Sequence, residues 1–547
     1  MPITSDSGPL LEAASVLDLF EASARAEPDA MALAYFGAVL SRAELNKLTE
    51  RVATVFAEAG VGEGDRVIIS LQNTPIMCAA LLACWKIGAI AIPVNPMVRT
   101  IELTHLARDS GAMLLLAEPG LAEVIGEVSE SLPSPLDVLW SSPADLAGSD
   151  DIPFAPDHET VPPFGTRLLD ALATLDDRPH DQRVVSPDLR RRHDLALICY
   201  TSGTTGPPKG AMIRHDNLTY QATTMVRWYG LAAHEPVITL PPIFHITGMG
   251  QNFALCVANG LPLILTYRFE PKTVLRLIKQ HRPVYGIAAI TAFVALSAEP
   301  DASGANLGSV RALFSGGAAV PVGIVDSFEQ RFGSYIHNAY GLTESTSACI
   351  IVPMGERAPV DAASGALSIG RAIPGTTVSV VDDDGRPAAA GTIGELVVQG
   401  PGICAGYWGK ADETAHAFRA DGLHTGDVGF TDQDGWIFIV DRKKDLVVVS
   451  GYKVWPREVE DALYLHAGVR EAAVVGIPDE YRGETLIAFV VVQAGSPVNE
   501  DQLRSHCRHV LSAYKCPTEF HLVDVLPKTA SGKVLRRELA ASRIHGA

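Results

Sequence analysis

The chain has 547 residues, too many for one compact core, so it should divide into several domains. Apolar residues make up 47% and charged residues 20%, which excludes disordered and fibrous classes and matches a soluble α/β enzyme. The net charge of −19 argues against nucleic acid or an anionic membrane surface as partner, because both select basic stripes.

The opening residues lack a basic segment followed by an apolar one, so no secretory signal is read there. Residues 16–116 alternate helical patterns, such as 42–59, with short β-rich runs such as 66–71. That alternation predicts a largely parallel sheet covered by helices. The longest apolar stretch, 76–94, carries Lys86, Gly88 and Pro93 and reads as a buried helix running into a strand, not as a membrane span. Residues 142–194 are rich in Pro, Asp, Ser and Arg with little periodicity and read as a long surface excursion. Alternation resumes to about residue 269, a third unit runs to about 381, and strand-like runs at 394–398 and 436–440 mark a smaller β-rich region. Five consecutive charges, DRKKD at 441–445, separate it from a module with helical patterns at 456–465 and 501–511 and strand patterns at 472–477 and 485–492. Eight cysteines without CxxC spacing sit mostly among apolar neighbours, as buried thiols in a reducing cytoplasm would.

Residues 200–210 read YTSGTTGPPKG and follow a short apolar run, 195–200, of strand length. Glycines such as Gly203 let consecutive backbone N–H groups face one anion, Thr201, Ser202, Thr204 and Thr205 add donors, and Lys209 adds a positive charge. Such a loop suits a triphosphate, although prolines before Lys209 and a glycine after it break the Walker spacing. A solvent-exposed Gly/Ser/Thr linker is the other reading of this stretch alone. Four further segments carry chemistry. PPIFHITGM (241–249) puts Phe244 and His245 at a turn into a helix, where a pocket lining and a packed core histidine are both open. SGGAAV (315–320) is a small-residue bend that lets a flat ring approach the backbone. YGLTES (340–345) offers the Glu344 carboxylate, an oxygen donor suited to Mg²⁺. PKTASGKVLRR (527–537) offers Lys533 as a mobile cation or, read blandly, a solubilising tail.

In this order, these segments together with HTGDVG (424–429) and DRKKD resemble the adenylate-forming superfamily of acyl-CoA synthetases, luciferases and peptide-synthetase adenylation domains. The match runs through most of the chain, and the branch resembled is the fatty-acyl and aryl-CoA ligases. The resemblance implies an α/β fold: a large N-terminal domain of stacked α/β subdomains plus a β-rich subdomain (1–440), a hinge at 441–445, and a small mobile α+β C-terminal domain (446–547). It implies an ATP-dependent ligase with Mg²⁺ and coenzyme A. Thr201, Ser202, Gly203, Thr204, Thr205 and Lys209 would hold the β- and γ-phosphates. Gly316, Gly317 and Ala318 would flank adenine, with Tyr340 stacked on it. Thr343 would contact the α-phosphate and Glu344 the metal, while Asp427 and Arg442 would hold the ribose. Lys444 would be the hinge residue, Lys533 would bridge the carboxylate and the α-phosphate, and Gly451 would lie near the pantetheine channel.

The acyl pocket would run past Phe244, His245, Gly248, Met249, residues 288–293 with Ile290 and Thr291, and Gly341. Its apolar and small residues suit a medium- or long-chain fatty or bulky alicyclic acid. Related ligases carry proline where this chain has Ile290, which leaves the shape of that wall open. His245 is counted with Lys533, Thr343 and Glu344 as a catalytic candidate. Two alternatives stand: an adenylation enzyme loading a carrier protein, and a partial enzyme performing one half-reaction. The first is disfavoured because such domains place an aspartate near the position of Phe244 and His245. A small-molecule acid, ATP and coenzyme A are the expected partners, with no integral membrane association. The sequence leaves the oligomeric state open, and a homodimer is compatible with it.

Overall fold

The computed structural model describes residues 15–134, 136–149, 151–155, 162–176, 192–201, 208–318, 320–362, 365–382, 384–442, 445–450, 452–479, 482–493, 495–528 and 534–544. Helices begin where the sequence supplies caps. Ser15 and Ser41 form capping boxes with Asp18 and Glu44, opening the helices Val16–Ala26 and Arg42–Glu58. Thr74 caps the helix Pro75–Lys86, with proline in its first turn. Every residue of that helix is buried, as an all-round apolar helix requires, and it shares one core with strands of two sheets. Lys86 at its end is buried and pairs with Glu21 at 2.8 Å and with the exposed Glu50 at 3.3 Å.

The first of these sheets has seven strands, in the order Thr166–Arg167, Asp137–Trp140, Leu114–Ala117, Arg66–Ser70, Ile90–Pro93, Leu195–Thr201 and Lys209–Arg214. All neighbours are parallel except the last two, which pair antiparallel on either side of the phosphate-loop sequence. The second sheet has nine strands and sets Ile336–Leu342, Ala312–Gly316, Tyr285–Ala288, Val237–Thr239 and Leu263–Leu265 side by side in parallel.

Two expectations are corrected here. The unit expected over 16–116 is split, because Met31–Tyr35 pairs with Leu263–Leu265 in the nine-stranded sheet. Its four consecutive buried residues need cover on both faces, which a parallel position in a large sheet supplies. The excursion expected over 142–194 is only partly superficial. Asp145 is buried and bonded by Ser141, Ser142 and Arg167, and the helix Leu168–Asp176 buries Leu168 and Leu172 one turn apart.

A five-stranded antiparallel sheet follows, built on Thr377–Val381, Gly394–Gln399 and Gly422–Thr431, with Phe418–Arg419 and Ile437–Arg442 flanking the last. Residues 447–522 form another five-stranded sheet, with the helices Pro456–Tyr464 and Glu500–Val510 and a core that includes Val459, Leu463, Val474 and Leu503. The fold is α/β. Among the described residues no helix is long and apolar enough to cross a membrane. Seven of the eight cysteines are buried, Cys516 is partly exposed, and all are free thiols.

Candidate active site

Parallel strands of the nine-stranded sheet end along one edge, and the singled-out segments leave from those ends. Val237–Thr239 leads to residues 241–249, Tyr285–Ala288 to Ile290 and Thr291, Ala312–Gly316 to Gly317 and Ala318, and Ile336–Leu342 to Thr343 and Glu344. Ligands of α/β sheets collect at such carboxyl ends.

At the 241–249 segment, buried Asn73 braces the turn from the other sheet: its Nδ2 donates to the Pro241 carbonyl at 3.2 Å and its Oδ1 accepts from Ile243 N at 2.7 Å. A Cβ on Gly248 would stand 2.2 Å from the Pro242 carbonyl oxygen, so only glycine lets the chain pass. His245 caps the following turn, accepting from Thr247 N through Nδ1 at 3.3 Å. Phe244, His245 and Thr291 are half-buried, whereas Met249 and Ile290 are buried in two separate core clusters.

Gly341 sits where a Cβ would approach the Ser347 carbonyl oxygen to 1.9 Å. Beyond Glu344 the backbone turns through Thr346 and Ser347, non-glycine residues with φ of +53° and +87°. Such conformations cost about 1–3 kcal/mol each and persist where the surroundings over-determine them. Here Thr346 Oγ1 donates to the Gly402 carbonyl at 2.7 Å, and Gln221 Nε2 donates to the Ala348 carbonyl at 2.9 Å.

Two clusters of polar side chains form around this turn. In one, the Tyr340 hydroxyl donates to Asp427 Oδ2 at 2.6 Å, and Asp427 stands opposite Arg442 in the antiparallel register. Burial and the Asp427 charge push the Tyr340 phenol well up, so it stays a donor. This joins the position expected beside adenine to the one expected beside ribose. In the other, Tyr407 bridges two of the expected residues. Its hydroxyl donates to Glu344 Oε1 at 2.6 Å, and Lys209 Nζ lies 5.2 Å from its ring centroid. Residues 405–408 run beside Lys209–Arg214, exchanging backbone bonds with Met212 and Gly210, and Cys404 N donates to the Glu344 carbonyl at 2.8 Å. Next to them Tyr200 donates to Asp109 Oδ2 at 2.7 Å, and Asp109 also pairs with Lys410 at 3.2 Å.

Ser202, Gly203, Thr204, Thr205, Lys444, Gly451 and Lys533 lie outside the described residues, as does the side chain of Arg442. Thr201 closes the hairpin, its Oγ1 3.4 Å from the Lys209 carbonyl. Tyr407 and Asn73 were not singled out in the sequence. GYW at 406–408 carried a usable hint, an aromatic pair after a glycine, whereas Asn73 gave none because its partners are 168 and 170 residues away. A cavity of ≈ 240 Å³ lined by Ser23, Glu27, Arg42 and His234 shares no residue with this site.

Known proteins resemble this chain along most of its length. The AMP-binding enzyme family profile matches residues 20–408, and the AMP-binding enzyme C-terminal domain profile matches 458–533. A long-chain-fatty-acid–CoA ligase of Bacillus subtilis (strain 168) is 31% identical over 538 residues, covering 94% of this chain and 92% of that protein. A feruloyl-CoA synthase of an Amycolatopsis species is 34% identical over 519 residues, covering 94% and 96%. The crystal structure of ATP-bound MatB from Rhodopseudomonas palustris superposes with a TM-score of 0.85 at 28% identity, over 97% of this chain and 99% of that one. The chain therefore belongs to the AMP-binding enzyme family of the adenylate-forming superfamily.

Proposed function

We propose that this AMP-forming acyl-CoA ligase activates a hydrophobic carboxylic acid, fatty or bulky alicyclic, and transfers its acyl group to coenzyme A. The observation that carries the reading is a pair of polar clusters at the strand ends, Lys209 and Glu344 meeting on Tyr407 and Tyr340 bonded to Asp427. Cation, carboxylate, aromatic ring and ribose-binding carboxylate are the groups that a nucleoside triphosphate needs. The acid's apolar character rests on the half-buried Phe244 and on a relative named for long-chain fatty acids. The feruloyl relative favours a second reading, an aryl acid at the same wall.

In the first half-reaction the substrate carboxylate attacks the α-phosphorus of ATP, an acyl–phosphate bond forms, and pyrophosphate leaves. Two anions must meet, so the work is charge stabilisation and in-line positioning rather than acid–base chemistry. In this proposal Lys209, Thr201, Ser202, Gly203, Thr204 and Thr205 hold the β- and γ-phosphates, Thr343 contacts the α-phosphate, and Lys533 spans the carboxylate and the α-phosphate. Gly316, Gly317 and Ala318 border adenine beside Tyr340, and Asp427 with Arg442 takes the ribose. Glu344 is a fitting Mg²⁺ ligand, because its Oε1 accepts from Tyr407 and none of the described residues donates to Oε2. The ion, when bound, neutralises phosphate charge.

In the second half-reaction the thiol of coenzyme A attacks the acyl carbon and AMP departs. A free thiol near pKa 8.5 is a few per cent thiolate at neutral pH, so no dedicated base is needed. With Lys533 in the pocket the C-terminal module packed there would obstruct thiol entry, and rotation of residues 446–547 about Lys444 resolves that conflict, bringing Gly451 to the pantetheine path. The test is a carboxylate panel, from acetate through long-chain, aryl and steroid-like acids, with ATP and Mg²⁺. Pyrophosphate and acyl-CoA are followed separately, with and without coenzyme A. One acid giving both products supports the reading; pyrophosphate without thioester points to a carrier-protein acceptor, and silence across the panel points to a partial enzyme.

A further inference from the structure

Tyr407 stands between two opposite charges without letting them meet. Its hydroxyl holds Glu344 Oε1 at 2.6 Å while its ring takes the Lys209 ammonium at 5.2 Å, and among the described residues no ion pair within 4.0 Å joins Lys209 to Glu344. A direct pair would neutralise both groups and occupy the donor and acceptor sites that a phosphate chain and its cation require. The tyrosine is 9% exposed and its backbone is fixed: Tyr407 N donates to Thr414 Oγ1 at 2.9 Å, Trp408 N to the Gly210 carbonyl at 2.8 Å, and Met212 N to the Gly406 carbonyl at 2.9 Å. Phe418 packs edge-on against the ring, with centroids 5.5 Å apart. The ring and hydroxyl are therefore held by the strand that begins with Lys209, and Glu344 is held by the same segment through its backbone at Cys404 and its side chain at Tyr407.

We infer that Tyr407 is a positioning residue that separates Lys209 from Glu344 in the nucleotide-free enzyme and presents the carboxylate to the cation accompanying ATP. This rests on the nucleotide reading proposed above. The hydroxyl and the ring have different tasks, so two variants separate them. Tyr407→Phe removes the bond to Glu344 and keeps the ring under Lys209. Tyr407→Leu removes both, releasing Lys209 toward Glu344.

Calorimetric titration of the full-length protein with the α,β-methylene analogue of ATP, repeated over a range of Mg²⁺ concentrations, reads both tasks without turnover. For Tyr407→Phe, the Mg²⁺ concentration for half-maximal nucleotide binding rises about tenfold while Mg²⁺-free affinity stays within about twofold, as loss of one bond to a charged group implies. For Tyr407→Leu, Mg²⁺-free affinity falls as well. A merely structural tyrosine would lower the melting temperature and all affinities together without moving the Mg²⁺ midpoint. An unchanged midpoint in a well-folded Tyr407→Phe protein overturns the inference. Failure of the native protein to bind the analogue would instead overturn the nucleotide reading beneath it.

Discussion

Asn73→Ala tests whether the 241–249 segment forms the acid wall. Asn73 is 2% exposed and makes two bonds to a turn in the neighbouring sheet, donating to the Pro241 carbonyl and accepting from Ile243 N. Alanine fills neither role and leaves a buried N–H and a carbonyl without partners. A buried polar group left unpaired costs about 1–3 kcal/mol, so the turn loses roughly 2–4 kcal/mol of support in its present conformation. If about 2 kcal/mol of that appears as reorganisation on acid binding, affinity for the acid falls about thirtyfold. Among the described residues none of those named for nucleotide binding bonds to Asn73, so the KM for ATP should stay within about threefold. Pyrophosphate release measured against acid at saturating ATP, then against ATP at saturating acid, separates the two. Asn73→Asp sharpens the test: it keeps an acceptor for Ile243 N but turns an acceptor toward the Pro241 carbonyl, so it should fare no better than alanine. Native-like acid dependence in both variants, or equal losses for acid and ATP with an unchanged melting temperature, would refute the wall assignment.

Other outcomes follow from the same reasoning. Lys533→Ala should reduce pyrophosphate release by about a hundredfold or more while keeping thioester formation from a supplied acyl adenylate, and equal loss of both would remove the lysine from the first half-reaction. Lys444→Pro should spare pyrophosphate release and block thioester formation; normal overall turnover would contradict a hinge there. His337, on the strand Ile336–Leu342, has Nδ1 3.2 Å from the Leu313 carbonyl, and burial holds its pKa below the ordinary value. A depressed folded pKa gives stability that is present above the unfolded value near 6.5 and lost as pH falls through the folded one. Urea midpoints at pH 7.5 and 5 should therefore differ less for His337→Asn than for the native protein, and identical differences would exclude His337 as a contributor.

The elements that the sequence announces are those with local causes. The helical pattern at 42–59, the helix read at the start of 76–94 and the turn into a helix at His245 all appear, each with a local cap in Ser41, Thr74 or His245. What stayed hidden depends on distance along the chain. Nothing local distinguishes Met31–Tyr35, which pairs more than 200 residues away, from a strand of the neighbouring sheet. Strand alternation gives no register between sheets, so Tyr340 meeting Asp427 across 87 residues and Tyr407 meeting Glu344 across 63 could be seen only in three dimensions. Asp145 was masked by composition: an acidic residue in a Pro/Ser-rich stretch reads as surface, and only its pairing with Arg167 and two serines permits burial.

Site assembly draws on three sheets at once. Glu344 and Tyr340 come from the end of one, Lys209 from the hairpin of a second, and Asp427 from a third. Segment 401–408 connects them, and it has little regular structure of its own, so its position must come from neighbours. Asn217, on the helix that follows the Lys209 strand, supplies it: Nδ2 donates to the Pro401 carbonyl at 2.7 Å and lies 3.2 Å from that of Ile403, in a site where the residue is 5% exposed. Thr346 Oγ1 holds Gly402 from the other side. Because helix, loop and strained turn are tied through the same few carbonyls, the backbone spacing between Lys209 and Glu344, across which Tyr407 reaches, is set by the packing of the sheets rather than by either motif. A phosphate loop and an acidic turn of perfect sequence on unassembled sheets would therefore bind nucleotide poorly, which is why residues far from any motif can govern this site.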